Sequence, residues 1–236
     1  MLSGMLEPHV PPQPPSAIPS AKGDVEIDEP NPAQRTVARR TAEARATIPD
    51  LELSLDVPMG VAVHRQAGER VSLDALLVAA VAAALRAVPR ANGAYRDARF
   101  EAYSRVNVGF VIARDEAYLI PTVFDADEKS PAELTAEIAQ LTEDALARRL
   151  APPAFSGATF TLWNAGALGL SRAGIVINPP QAAALAAGAV RELPAVRAGE
   201  LVSEPVATLT LACDHRILYG GQAAAFLAAV SDALQR

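Results

Sequence analysis

Near the C-terminus, Leu209-Thr210-Leu211-Ala212-Cys213 runs as a strand-like apolar stretch into Asp214-His215-Arg216-Ile217-Leu218-Tyr219, followed by Gly220-Gly221. A small-residue helical segment, Gln222 to Leu234, begins directly afterwards. Strand, tight turn and helix in this order require a sheet with helices packed on it. They also leave one imidazole at a strand end. Two roles suit a lone histidine there: a hydrogen-bonded structural residue, or a fixed base acting on a bound substrate, because imidazole titrates near neutral pH.

At 236 residues, half of them hydrophobic and a fifth charged, the chain can bury one substantial core. A net charge of −6 without a Lys/Arg stripe argues against nucleic acid as the main partner. Cys213 is the single cysteine, which excludes an internal disulfide or multi-cysteine metal site and fits a reducing cytoplasm. His9, His64 and His215 show no metal-ligand spacing. The Ala-rich run Ala75 to Leu85 lies between Asp74 and Arg86 and is too short for a membrane span, so it reads as a buried helix. Met1 to Pro19 has neither the basic start nor the apolar segment of a signal peptide.

Eight of the 19 prolines fall within the first 32 positions, so residues 1–30 read as an extended proline-rich arm. That arm could dock to an aromatic groove or be a passive tail. The folded domain, 31–236, then opens with a helix from Gln34 to Arg45. Leu51 to Val57 alternates as a strand with one wet face. Ser72 caps a helix reaching Val88, and Ser130-Pro131-Ala132-Glu133 starts another that runs to Leu150. Val106 to Ile112 and Ala117 to Phe124 read as a strand pair about Arg114-Asp115-Glu116. Thr159 to Trp163 and Val206 to Ala212 are further strands, Asn178-Pro179-Pro180 is a turn, and Gln181 to Val190 fits no pattern. The expected class is α/β, a mixed sheet flanked by helices in a single domain.

The Asp214-His215-Arg216 segment resembles the Asp-His-Arg-x-x-Asp-Gly motif of the 2-oxoacid dehydrogenase acyltransferase catalytic domain, a relative of chloramphenicol acetyltransferase. Four more blocks carry the resemblance in order. They are Thr36 to Arg40 with Thr47-Ile48-Pro49; Val106-Asn107-Val108-Gly109 with Ile120-Pro121-Thr122-Val123 and Asp125 to Ser130; Gly157 to Gly166; and Ile177-Asn178-Pro179-Pro180-Gln181-Ala182. The resemblance implies a chloramphenicol acetyltransferase-like fold and a CoA-dependent acyl transfer with His215 as general base. In that reaction Nε2 takes a proton from an acceptor thiol or hydroxyl, which attacks the acyl-CoA thioester. Acetyl-CoA is then a co-substrate, and no cofactor is permanently bound.

Two departures bear on function. Tyr219 stands where the family carries a loop-bracing Asp, and Trp163 stands where it carries an oxyanion-supporting Ser. The resemblance implies Trp163, Asn164 and Gly166 near the oxyanion or acceptor, and Asp214, Arg216, Tyr219 and Gly220 as supports of the histidine loop. Trp163 also reads as a strand aromatic packed in the core, and Cys213 as a buried, inert thiol. The sequence shows no lipoyl-bearing hairpin and no apolar tail after Leu234. The expectation is therefore a stand-alone homotrimer with sites between subunits. Its acceptor would be a small-molecule hydroxyl such as a tetronate polyketide intermediate. The alternatives are a dihydrolipoamide acyltransferase core of a 2-oxoacid dehydrogenase complex and a catalytically silent trimeric scaffold.

Overall fold

Asn31 sets where helical structure begins. Its side chain accepts from the N–H groups of Ala33 and Gln34 at 3.0 Å, and the Gln34 side chain accepts from the Asn31 N–H at 2.8 Å. With Pro32 pre-set to a helical φ, this capping box starts α1, Pro32–Thr47. The computed structural model describes residues 21–23, 25–114 and 117–236. Most of the expected proline-rich arm, together with Asp115 and Glu116, therefore lies outside the described residues. Residues 25–30, just ahead of α1, are exposed and without regular structure.

β1, Asp50–Pro58, alternates exposed and half-buried positions, the expected one-sided strand. It leads into α2, Gly60–Glu69, which no sequence pattern had disclosed, and α3, Leu73–Ala87, where Ser72 Oγ accepts from the Ala75 N–H at 3.1 Å. A hairpin of β2, Gly93–Arg96, and β3, Arg99–Ala102, turns through Asp97 and Ala98 at φ of 49° and 57°. The two expected central strands are each divided, giving β4, Val108–Phe110; β5, Ile112–Arg114; β6, Ala117–Leu119; and β7, Thr122–Val123. β4 pairs with β7, and β5 with β6. α4, Pro131–Leu146, begins with the expected Ser130–Glu133 box but stops short of Leu150. There Arg148 takes a left-handed φ of 59°, and the Arg149 N–H returns to Asp144 O at 2.8 Å.

The remaining elements are β8, Phe160–Asn164; β9, Ala183–Ala187; β10, Arg191–Arg197; β11, Glu200–Asp214; and α5, Gly220–Leu234. The main sheet runs β1-β11-β9-β8-β4-β7, with β10 added beside β11. β8 is parallel to both β4 and β9, whereas β11 is antiparallel to β1, β9 and β10. The sheet is mixed, as expected, and β11 is far longer than the Val206–Ala212 strand read from sequence because its first half forms a hairpin with β10 through Ala198 and Gly199.

Helices cover one face of this sheet. Leu162, Leu185, Leu209 and Leu211 are buried there with α3 and α5, and the Phe160 and Phe226 rings meet at 5.4 Å. Each such leucine contributes about 1.5–3 kcal/mol by leaving water. On the other face the connection from β8 to β9 runs as an extended strap, residues 170–178, without helix. Its Ile175 and Ile177 are buried with Ala184, Ala186 and Ala212, and Trp163 packs against the same cluster. This explains the unassigned alanine run. Every residue of β9 is buried, so no polar alternation marks the strand, and small side chains let the strap lie close. A Cβ on Gly188 would fall 2.1 Å from Ser171 O.

Candidate active site

His215 stands one residue beyond the end of β11, on an exposed turn. Its N–H donates to Pro49 O at 3.0 Å, tying the turn to the start of β1. The preceding residue, Asp214, is 2% exposed, and its N–H donates to Ala182 O at 2.8 Å. The Asp214 carboxylate accepts from the Arg216 N–H at 3.0 Å, from Arg216 Nε at 2.9 Å and from Nη2 at 2.7 Å. The Asp214 carbonyl in turn accepts from the N–H groups of Ile217 and Leu218. Nearly all the polar capacity of the turn converges on Asp214, and that carboxylate raises the Arg216 guanidinium further above its ordinary value.

Tyr219 is half exposed, its ring edge-on to the His215 imidazole at 6.0 Å, and its hydroxyl donates to Arg216 O at 3.4 Å. Gly220 opens α5, and a Cβ there would meet only Leu51 Cδ2 at 4.0 Å, so space does not demand glycine. Cys213 points into the core beside Leu51 O and Leu218 O. Burial pushes its thiol up to about 11, which leaves it protonated and unreactive at neutral pH. Of the loop residues named from sequence, Asp214 and Arg216 close the turn on either side of His215, Tyr219 lies edge-on to its ring, and Gly220 follows as the first residue of α5.

Trp163, Asn164 and Gly166 do not. In β8 Trp163 pairs with Ala186, which pairs with Thr210, five positions before His215. At about 3.3 Å per residue and 4.8 Å per strand, the histidine lies roughly 16 Å further along and about 10 Å across. Trp163 is half-buried on the strap face, and Asn164, next along the strand, faces the helices. Asn164 Nδ2 donates to Asp74 Oδ1 at 2.5 Å and its Oδ1 accepts from the Ala167 N–H at 3.3 Å. Gly166 allows close backbone approach, since a Cβ would lie 2.6 Å from Ala189. Both line a concavity with Ser72, Asp74 and Val190. Burial raises the Asp74 carboxyl above the usual range, and the Asn164 amide partly opposes that rise.

Sequence reasoning missed two residues. In the sequence Asp74 is marked only as the charged residue bounding the Ala-rich run. Tyr95, on β2, lies beneath Arg216, with the guanidinium carbon 4.7 Å from its ring centre. No pattern marks β2 as reaching the histidine turn. A groove of about 290 Å³ along α1 is lined by Arg40, Tyr118, Phe155, Ile177 and Pro179 but does not include His215. Among the described residues, no cluster of three or more His, Cys, Asp or Glu side chains suits a metal, and no helix is long and apolar enough to cross a membrane.

Comparison with known proteins adds the lineage. The sequence model for 2-oxoacid dehydrogenases acyltransferase (catalytic domain) matches residues 23–236. A dihydrolipoyllysine-residue acetyltransferase component of the pyruvate dehydrogenase complex of Zymomonas mobilis is 29% identical over 93% of this chain and 53% of its own length. The chain spans about half the length of the curated relatives it matches. A crystal structure of a probable dihydrolipoamide acetyltransferase from Listeria monocytogenes superposes with a TM-score of 0.85 at 27% identity, covering 91% of this chain and 96% of that one. A chloramphenicol acetyltransferase shares the fold at 16% identity and a TM-score of 0.55, over 83% of this chain and 94% of that one. From α1 to α5, then, the chain belongs to the 2-oxoacid dehydrogenase acyltransferase family, through its catalytic domain.

Proposed function

We propose that this chain moves an acyl group between CoA and the thiol of a dihydrolipoyl group, with His215 as general base. The observation that carries the reading is the presentation of the imidazole. It is exposed, on a turn held by Asp214, Arg216 and Pro49, with only the edge-on Tyr219 ring beside it and, among the described residues, no side-chain hydrogen bond holding the imidazole. The dihydrolipoyl acceptor is supported by the relatives, whose names specify dihydrolipoyllysine-residue acetyltransfer. In this reading the acceptor is carried on a lipoyl-bearing partner rather than being a free small molecule.

In the reaction, an imidazole nitrogen removes the acceptor thiol proton. The thiolate adds to the thioester carbonyl of acyl-CoA, and the tetrahedral oxyanion collapses, breaking the bond to the CoA sulfur. The imidazolium returns its proton to the departing CoA thiolate. A correctly placed base of this kind contributes roughly 10²–10⁴-fold. Acyl-CoA enters as a co-substrate, and no permanently bound cofactor is part of the reading. Because Trp163 lies far from His215 in the same chain, an acceptor pocket containing both requires a neighbouring copy. The reading therefore includes a homotrimer with sites between subunits. The buried thiol of Cys213 suits a reducing cytoplasm.

Trp163 favours a second reading, transfer to the hydroxyl of a small molecule such as a tetronate. An indole at a place where the family carries serine narrows the acceptor side. It also removes an oxyanion donor that is typically worth about 2.7–4 kcal/mol.

The test is release of free CoA thiol from acetyl-CoA, with dihydrolipoamide and with small hydroxyl acceptors, for the wild type and His215→Ala. Turnover with dihydrolipoamide that His215→Ala abolishes supports the first reading, and turnover with hydroxyl acceptors alone supports the second. No release with any acceptor from an intact trimer sinks both and leaves the silent scaffold. Trp163→Ser should raise dihydrolipoamide turnover if the indole restricts the acceptor.

A further inference from the structure

We propose that Tyr95 is a positioning residue for the His215 turn, acting through Arg216; this rests on the reading of His215 as the base. Arg216 is the side chain through which the turn meets the β2–β3 hairpin. One edge of its guanidinium is held by Asp214 Oδ1 and Oδ2, and it lies over the Tyr95 ring at 4.7 Å. Arg216 remains about a third exposed whereas the Asp214 side chain is 3% exposed. The aromatic ring covers one face of the guanidinium, and about a third of the Arg216 side chain stays open to water. A cation over an aromatic face is attracted by the ring quadrupole, and covering the pair reduces solvent screening of it.

The hairpin is built to hold this ring in place. Ala182 bridges the two parts directly: its N–H donates to Gly93 O at 2.9 Å and its carbonyl accepts from the Asp214 N–H at 2.8 Å. Buried Asn92 donates to Tyr103 O at 3.0 Å and Arg105 O at 2.9 Å, closing the base of the hairpin. Gly93 admits the close pairing, since a Cβ there would lie 2.3 Å from Glu101 O. The Tyr95 ring also meets Phe100 at 5.9 Å, and Arg90 lies 4.1 Å over Phe100. The hairpin thus buttresses the guanidinium that orders the turn.

The experiment compares Tyr95→Leu, Tyr95→Phe and the wild type by amide hydrogen exchange and steady-state kinetics with acetyl-CoA. Removing the ring should speed exchange at the His215 and Leu218 amides by about three- to thirtyfold, while α4 amides stay unchanged. kcat should fall by a similar factor with KM for acetyl-CoA unchanged, and Tyr95→Phe, which keeps the ring, should restore both. Wild-type exchange at His215 together with wild-type kcat in Tyr95→Leu overturns the proposal. Should Tyr95→Leu fail to fold, Arg216→Lys carries the test. It keeps the charge but loses the flat surface, and unchanged exchange at His215 there overturns the proposal as well. Full activity of His215→Ala would instead sink the base reading, and the exchange data would still decide the role of Tyr95.

Discussion

Arg216 turns back to clasp Asp214, two residues before it, with Nε 2.9 Å from Oδ1 and Nη2 2.7 Å from Oδ2, so that His215 sits at the centre of a loop closed by its own neighbours. The carboxylate is buried and the guanidinium is not, which makes the pair asymmetric. Asp214→Asn keeps the shape but removes the charge and one acceptor. The expected loss is about 2 kcal/mol of stability in urea unfolding, with a larger fall in turnover than in substrate affinity. Unchanged turnover would mean that the clasp does not order the histidine.

Cys213 carries a pH dependence whose sign can be worked out. Burial raises its thiol from 9.0 to about 11, so the folded state holds the proton more tightly than the unfolded chain. That contribution is fully present below about pH 9 and is lost as pH climbs towards 11, amounting to roughly 3 kcal/mol. Unfolding measured from pH 8 to 11 should show this decline, and Cys213→Ala should lack it. Thiol reagents at pH 8 should label the native chain far more slowly than the unfolded one.

Asp74 behaves in the acid range. Its folded carboxyl is raised by burial, with Asn164 as its hydrogen-bond donor. A raised carboxylate is stabilising while protonated, and this contribution falls as pH rises through the folded pKa. Asp74→Asn should therefore flatten the stability profile between pH 3 and 7 and raise stability at neutral pH. A steeper profile would show that the charged carboxylate is better satisfied than its neighbours indicate.

Gly166 is a packing position whatever its place in a motif. A Cβ at 2.6 Å from the Ala189 backbone cannot be absorbed by a flexible side chain. Gly166→Ala should cost more than about 2 kcal/mol, read as a lower melting temperature and urea midpoint. A neutral result would show that the segment from Gly188 to Val190 can move away.

The helix starts were legible because capping is local. Ser72 and Ser130 bond to groups within three residues, and the chain carries those signals in consecutive letters, whereas the Asn31 box starts α1 at Pro32, two residues ahead of the expected Gln34. The end of α4 was not legible, because Arg148 occupies a left-handed position that usually takes glycine, with Arg149 satisfying the exposed carbonyl end. β9 was hidden for a different reason. Its Ala-rich letters favour a helix, and only burial between the helices and the strap makes it a strand. β10 and the β2–β3 hairpin turn at Ala198-Gly199 and Asp97-Ala98, where three non-glycine residues of the four take positive φ, so the usual turn letters were largely missing.

By itself the sequence determined the family blocks, the starts of α3 and α4, and the strand–turn–helix that carries Asp214, His215 and Arg216, because each depends on contacts within a few residues. Only the tertiary structure decided that Tyr95 reaches Arg216, that Asp74 meets Asn164 across 90 positions, and that Trp163 lies far from His215 in the same chain. Those relations depend on sheet order and register, and register is settled by which faces are buried rather than by neighbouring letters. The chain could therefore name its histidine, but the sheet decided what stands beside it.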